Sequence, residues 1–347
     1  MKKALSVIAA AAVLTSCCQS TAVKFTLTGS DPLFEDGKYV HILDEDGKTG
    51  DSARIENHGF TIKGERPYPE QAYLAIDHEQ IGFDFFLEDG TIRIERHGDT
   101  VEDFSYTGTP RNDRYNAVHR QMETLYDSGR PTLQIEQAMD SLLRATVDEN
   151  PNILGLTILK DDLLYTLSSS EILQFADIFP ESYQQHPYML ELRELAENMR
   201  ADIGKPYIDI TGQTPGGDTV SLAATVRKPG NKYVLLDFCA GWCGYCRAEF
   251  PNLAALYAKY NDRGFDIFGV SFDNSHKKWL KCIETYDMRW TQVHQGFDLR
   301  PRQTQAWSDY TLGGVPSYFL IDCATGKILA KQLRGEALAQ KLAELLD

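Results

Sequence analysis

The segment Trp242-Cys243-Gly244-Tyr245-Cys246 carries two thiols with two residues between them. Thiols at this spacing close a small disulfide ring, or act in turn on a foreign disulfide. The run before them, Tyr233 to Phe238, is apolar apart from Asp237 and reads as a buried strand. The run after them, Arg247 to Tyr260, is amphipathic and reads as a helix. Cys243 therefore falls at a helix N-terminus. Unpaired N–H groups and the helix dipole favour an anion there and lower a thiol pKa. The pair reads as a redox dithiol. His276 and His294 lack ligand-spaced partners, so no metal site is expected.

The elements that position such a dithiol fit readily into a chain of 347 residues, a length that predicts two or three domains. With 42% hydrophobic and 24% charged residues the chain reads as globular rather than disordered. The net charge of -15 argues against a nucleic-acid partner, which attracts clustered Lys and Arg.

At the N-terminus Lys2 and Lys3 precede an apolar run from Ala4 to Leu14. That run is too short for a membrane span and reads as a signal-peptide core. It ends in Leu14-Thr15-Ser16-Cys17, which resembles the lipobox of bacterial lipoproteins. The resemblance implies that residues 1–17 are a signal peptide, with Cys17 lipidated and anchoring the mature chain to a bacterial membrane, facing the periplasm. Disulfides persist in such a compartment. Apart from Cys17 and Cys18, five cysteines remain, an odd number that does not suit a purely structural framework.

Residues 23–107 read as all-β. Short alternating runs, such as Tyr39–Leu43, Ala72–Ile76 and Phe83–Leu87, are broken by Asp36-Gly37, Asp46-Gly47, His58-Gly59 and Asp89-Gly90. A small sandwich or barrel is expected. The segments Asp36–Val40, Gly59–Gly64 and Phe85–Gly90 resemble a small β domain of unknown function that often precedes thioredoxin domains. Residues 108–202 read as a helical segment, a spacer packed on one or both neighbours. Tyr115, Val118, Met122 and Leu125 share one helical face, and helix starts are expected at Asn150-Pro151 and His186-Pro187. Residues 203–347 read as a hairpin around Thr214–Gly217 followed by alternating strands and helices, an α/β sheet with parallel pairs.

Three ordered motifs in this last region resemble thioredoxin-like proteins, closest to anchored thiol–disulfide oxidoreductases of the TlpA/ResA type. They are Leu235 to Cys246, Arg247-Ala248-Glu249-Phe250-Pro251, and Gly313-Gly314-Val315-Pro316 with the strand after it. The resemblance implies an α/β thioredoxin-like domain and roles for its residues. Cys243 is the attacking thiolate, and Cys246 resolves by closing the Cys243–Cys246 disulfide. Asp237 matches the buried acid that exchanges protons with the second cysteine, its alternative being a structural polar residue. Pro316 matches the family's cis-proline, and Val315 before it offers backbone groups to an extended substrate. Trp242 is a platform beside Cys243 or a packing residue.

The partners implied are disulfide-bearing proteins and an upstream thiol electron donor, with no cofactor required. A reductant is the expected direction. Thiol peroxidase is the alternative enzyme, although nothing around Cys243 supplies its proline, threonine and arginine. A partner-binding lipoprotein with an auxiliary redox domain is the non-enzymatic alternative. Cys239 stands where the family usually has an aromatic residue and reads as a buried small side chain, with a third redox-active thiol as the sharper reading. Cys282 and Cys323 are left as a conceivable pair.

Overall fold

The structure, a computed structural model, describes residues 22–77 and 79–347. The expected signal peptide and the expected lipidation site Cys17 lie outside the described residues. The described residues divide into two compact units, one ending at Thr109 and one running from Pro110 to Asp347.

The first unit contains β1 (Val23–Ser30), β2 (Tyr39–Leu43), β3 (Thr49–Arg54), β4 (Gly59–Arg66), β5 (Glu70–Ile76), β6 (Glu79–Leu87), β7 (Gly90–Arg96) and β8 (Phe104–Thr107). They form two four-stranded sheets, ordered β4-β1-β7-β8 and β3-β2-β5-β6. Phe25, Leu27 and Ile92 from one sheet meet Val40, Leu74 and Phe85 from the other in a single core. This is a sandwich, built on the period-two burial that β1 shows along its length. Two strands escape the sequence patterning. β3, Thr-Gly-Asp-Ser-Ala-Arg, is an edge strand with no buried residue, so no apolar alternation marks it. β8 is only four residues long.

The second unit opens with α1 (Pro110–Tyr126), α2 (Thr132–Glu149), α3 (Ile153–Ile158), α4 (Ser169–Ile178) and α5 (Pro187–Asn198). The start expected at Asn150-Pro151 falls two residues later. Asn152 is the N-cap and its Oδ1 accepts from the Leu154 N–H at 3.0 Å. The expected start at His186-Pro187 is present, with Pro187 at the first helical position. On the expected face of α1 Val118 is buried and Tyr115, Met122 and Leu125 are half-buried, with Asn112 and Asn116 buried as well.

There follow β9 (Thr211–Gln213), β10 (Thr219–Ser221), α6 (Leu222–Val226), β11 (Tyr233–Cys239), α7 (Gly244–Tyr260), β12 (Phe265–Ser271), α8 (His276–Thr285), β13 (Thr291–His294), α9 (Gln305–Asp309), β14 (Ser317–Asp322), β15 (Lys327–Lys331) and α10 (Gly335–Leu346). The sheet order is β10-β9-β13-β12-β11-β14-β15. β11 is central, parallel to β12 and antiparallel to β14. Six of its seven residues are buried, as expected of a strand covered on both faces.

The helical segment is fastened to this sheet by polar joints as well as apolar ones. Lys331 on β15 lies 3.7 Å from Asp202, and both side chains are almost wholly buried. The Lys331 ammonium also donates to the Leu167 carbonyl at 3.1 Å, and burial lowers its pKa. Arg334 binds Glu136 of α2 at 2.7 Å, and Arg200 pairs with Asp309. The helical segment is thus part of the same compact unit as the α/β sheet. Among the described residues no helix is long and apolar enough to cross a membrane.

Candidate active site

β11 delivers Asp237 and Cys239 to the C-terminal end of the sheet, and the turn after it delivers Cys243 to the start of α7. Asp273 holds that turn, its carboxylate accepting from the Gly241 N–H at 3.1 Å. Cys243 is the N-cap of α7, and its sulfur accepts from the Cys246 N–H at 3.3 Å. Both thiols are buried, Cys243 at 6% exposure and Cys246 at 0%. Pro251 lies inside α7.

The Val315–Pro316 peptide is cis and places the Val315 carbonyl 3.2 Å from the Cys243 sulfur, where it accepts from the thiol. The Trp242 indole N–H donates to the Phe272 carbonyl at 3.2 Å while the side chain stays 55% exposed, so the ring is tethered yet open to solvent. The structure therefore brings Cys243, Cys246, Trp242, Val315 and Pro316 together at one edge.

The two thiols sit in opposed electrostatic settings. The Cys243 pKa is lowered to about 6, chiefly by the hydrogen bond from the Cys246 thiol. Burial opposes this, and the backbone N–H groups of Cys246 and Tyr245 assist it. Burial drives the Cys246 thiol in the other direction, far above its usual range. One sulfur is an anion near neutral pH and the other holds its proton.

Asp237 is fully buried, and neither carboxylate oxygen has a hydrogen-bonding partner. Burial raises its pKa to about 7. The Cys239 thiol nearby offsets part of this, and the charges of Glu249 and Cys243 add to it. Its register partner across the sheet is Tyr318, whose buried hydroxyl also lacks a partner. Glu249 lies one turn after Cys246 on α7 and is fully buried. Its Oε1 accepts from Asn252 at 2.7 Å and from the Gly335 N–H at 2.9 Å. In the sequence Glu249 falls within the motif Arg247-Ala248-Glu249-Phe250-Pro251. Its spacing of three from Cys246 is the signal that places it on the same helical face. Tyr318 and Asp273 carry no such signal.

The remaining cysteines are separated by the fold. Cys239 is 3% exposed, and burial pushes its thiol well up, which is the behaviour of a buried small side chain. Cys282 abuts Gly241 near the dithiol. Cys323 bonds through its N–H to the Lys232 carbonyl, just before the start of β11. The two lie toward opposite ends of a strand about 20 Å long, so the conceivable Cys282–Cys323 pair does not form. His294 uses both ring nitrogens, on the Asp273 carbonyl at 2.6 Å and the Gly296 N–H at 2.8 Å. Among the described residues no group of three or more His, Cys, Asp or Glu is arranged to hold a metal.

Residues 203–330 match the AhpC/TSA family. This part of the chain is a thioredoxin-like domain of that family. Residues 25–115 match a domain of unknown function, DUF4369. Among curated proteins, the chain is 30% identical over 117 residues to the thiol–disulfide oxidoreductase ResA of Bacillus cereus, covering 33% of this chain and 62% of that one. It is 31% identical over 90 residues to ResA of Oceanobacillus iheyensis, covering 26% and 44%. The chain thus spans about half the length of these relatives. Among solved structures, the thioredoxin domain of a thiol–disulfide oxidoreductase from Bacteroides vulgatus is 35% identical, with a TM-score of 0.38 over 42% of this chain and 98% of that one. A thiol:disulfide interchange protein from a Bacteroides species gives 35% and 0.38 over 43% and 92%. The thioredoxin-like domain carries the whole dithiol site described above.

Proposed function

We propose that this chain is a thiol–disulfide oxidoreductase that reduces protein disulfides outside the cytoplasm, held to a membrane by a lipid on Cys17. The observation that carries the redox reading is the Cys243 sulfur at the N-cap of α7, accepting from the Cys246 N–H at 3.3 Å and lying 3.2 Å from the Val315 carbonyl.

In the forward half-reaction the Cys243 thiolate attacks one sulfur of a substrate disulfide. A mixed disulfide forms and the other substrate sulfur leaves as a thiolate. The Cys246 thiol then loses its proton to the Asp237 carboxylate and attacks the Cys243 sulfur. The Cys243–Cys246 disulfide closes and the second substrate thiolate leaves. Two electrons have passed to the substrate, and an upstream dithiol returns the pair to its reduced form. An Asp237 pKa of about 7 suits a group that takes and returns a proton at neutral pH. Val315 and Trp242 flank the attacked sulfur as backbone partner and platform.

The Cys243 pKa supports the reducing direction. A value of about 6 lies nearer the roughly 7 of thioredoxin than the roughly 3.5 of the strongest disulfide oxidants. Equilibration with glutathione is expected to place the pair nearer about -270 mV than about -120 mV. A potential at the upper figure reverses the proposed direction. The anchor rests on the sequence around Cys17. Cys17→Ala is expected to move the chain from the membrane to the soluble fraction, and retention on membranes removes the lipid reading.

A further inference from the structure

A cavity of about 650 Å³ opens between the helical segment and the corner that joins β15 to α10. Leu133, Met139, Leu143 and Leu333 form apolar wall. At its border Glu136 binds Arg334 at 2.7 Å, and Arg144 binds Asp140 at 2.7 Å and Glu171 at 3.3 Å. Both guanidiniums are thus taken up by carboxylates of the chain itself, so they are not offered to an anionic occupant. Tyr126, Ile203 and Tyr245 also line the cavity and are 54%, 47% and 37% exposed, three large side chains that stay open to solvent.

The cavity approaches the dithiol through Tyr245 and through Gln332, which also lines it and donates to the Ser317 hydroxyl at 3.3 Å, beside Pro316. Tyr245 stands between the two cysteines and lines the cavity together with Tyr126. Glu136 borders the cavity, and its charge acts on Cys243. The volume falls within the roughly 300–1,000 Å³ of built ligand clefts, more than one side chain requires.

We infer that this cavity docks apolar side chains of the substrate polypeptide that flank the attacked cysteine. The inference rests on the oxidoreductase reading and names the substrate class of the same site. An extended chain lying along the Val315 edge advances about 3.3 Å per residue and presents every second side chain to one face. Side chains two and four positions from the substrate cysteine therefore point to one side, and in the proposed pose that side is the one Tyr245 opens to the cavity. The helical segment, which carries no redox group of its own, becomes the element that selects among disulfides.

The test uses two decapeptides, each with one cysteine in mixed disulfide with glutathione. One carries Leu at the second and fourth positions on both sides of the cysteine, and the other carries Ser there. Full-length reduced protein is expected to favour the Leu peptide by about tenfold in kcat/KM, the effect of burying one large apolar side chain, and mainly through KM. Leu133→Trp, which fills the cavity, is expected to bring the ratio to about one. Ile203→Asp, at an exposed border position, is expected to lower it without burdening the core. A wild-type ratio of about one, with both peptides turned over, overturns the docking site and leaves the oxidoreductase reading intact. A ratio that stays at ten in both variants overturns it as well. Failure to reduce either peptide, or hydroxyethyl disulfide, removes the oxidoreductase reading and this inference with it.

Discussion

Cys246→Ser is expected to stop the chain as a mixed disulfide between Cys243 and its substrate. The hydroxyl of serine cannot displace a thiolate from sulfur, so attack proceeds and resolution does not. Turnover should fall by roughly 10³-fold or more, the scale on which loss of a covalent nucleophile acts. Non-reducing electrophoresis and mass spectrometry should find the adduct on Cys243. The pH profile adds a second reading. Alkylation of wild-type Cys243 should rise to a plateau with its midpoint at about 6, because the thiolate reacts. Its largest stabilising contact is the hydrogen bond from Cys246. Cys246→Ala removes that donor and should move the midpoint upward. If no adduct appears and the wild type leaves insulin disulfides intact, the assignment of roles is wrong.

Asp237→Asn should slow catalysis and stabilise the fold at once. The catalytic loss is expected to be roughly 10²-fold in the resolving step, at the lower end of what a positioned general base contributes. Stability moves the other way because Asp237 holds its proton more tightly when folded. Its pKa rises from an ordinary 3.8 to about 7. Between those values the folded chain keeps a proton that the unfolded chain has lost. Stability from this group is therefore greatest below the lower value and falls as pH rises toward 7. A shift of three units corresponds to about 4 kcal/mol, reached in full above pH 7 and only about a third of it by pH 5. Denaturant unfolding should show the variant gaining most at pH 8 and little at pH 4. Parallel stability profiles for both proteins would show that Asp237 is not the buried acid described here.

The dithiol and its strand–helix setting were legible because local rules decide them. A buried parallel strand reads as a continuous apolar run, and a thiol at a helix N-cap needs only its neighbours in sequence. β11 and α7 obey both rules. Local rules fail where an element has no buried side chain, as in β3, and they do not mark the buried polar residues Asn112 and Asn116 of α1. They fail also for cysteines. Nothing in spacing separates Cys282 from Cys323, whereas the course of β11 puts them far apart.

The sequence by itself determined the chemistry: two thiols at the head of a helix, an acid on the strand before them, and a proline from a distant loop. Only the tertiary structure decided how that chemistry is tuned. Burial of Asp237 without a partner, the protonated state of Cys246 and the low pKa of Cys243 depend on what surrounds each group, and those surroundings come from β14, α10 and the loop at Pro316. Tyr126 and Glu136 reach the dithiol from helices far away in the chain. Their contribution is set by packing and ion pairs between elements, which no local pattern of residues encodes.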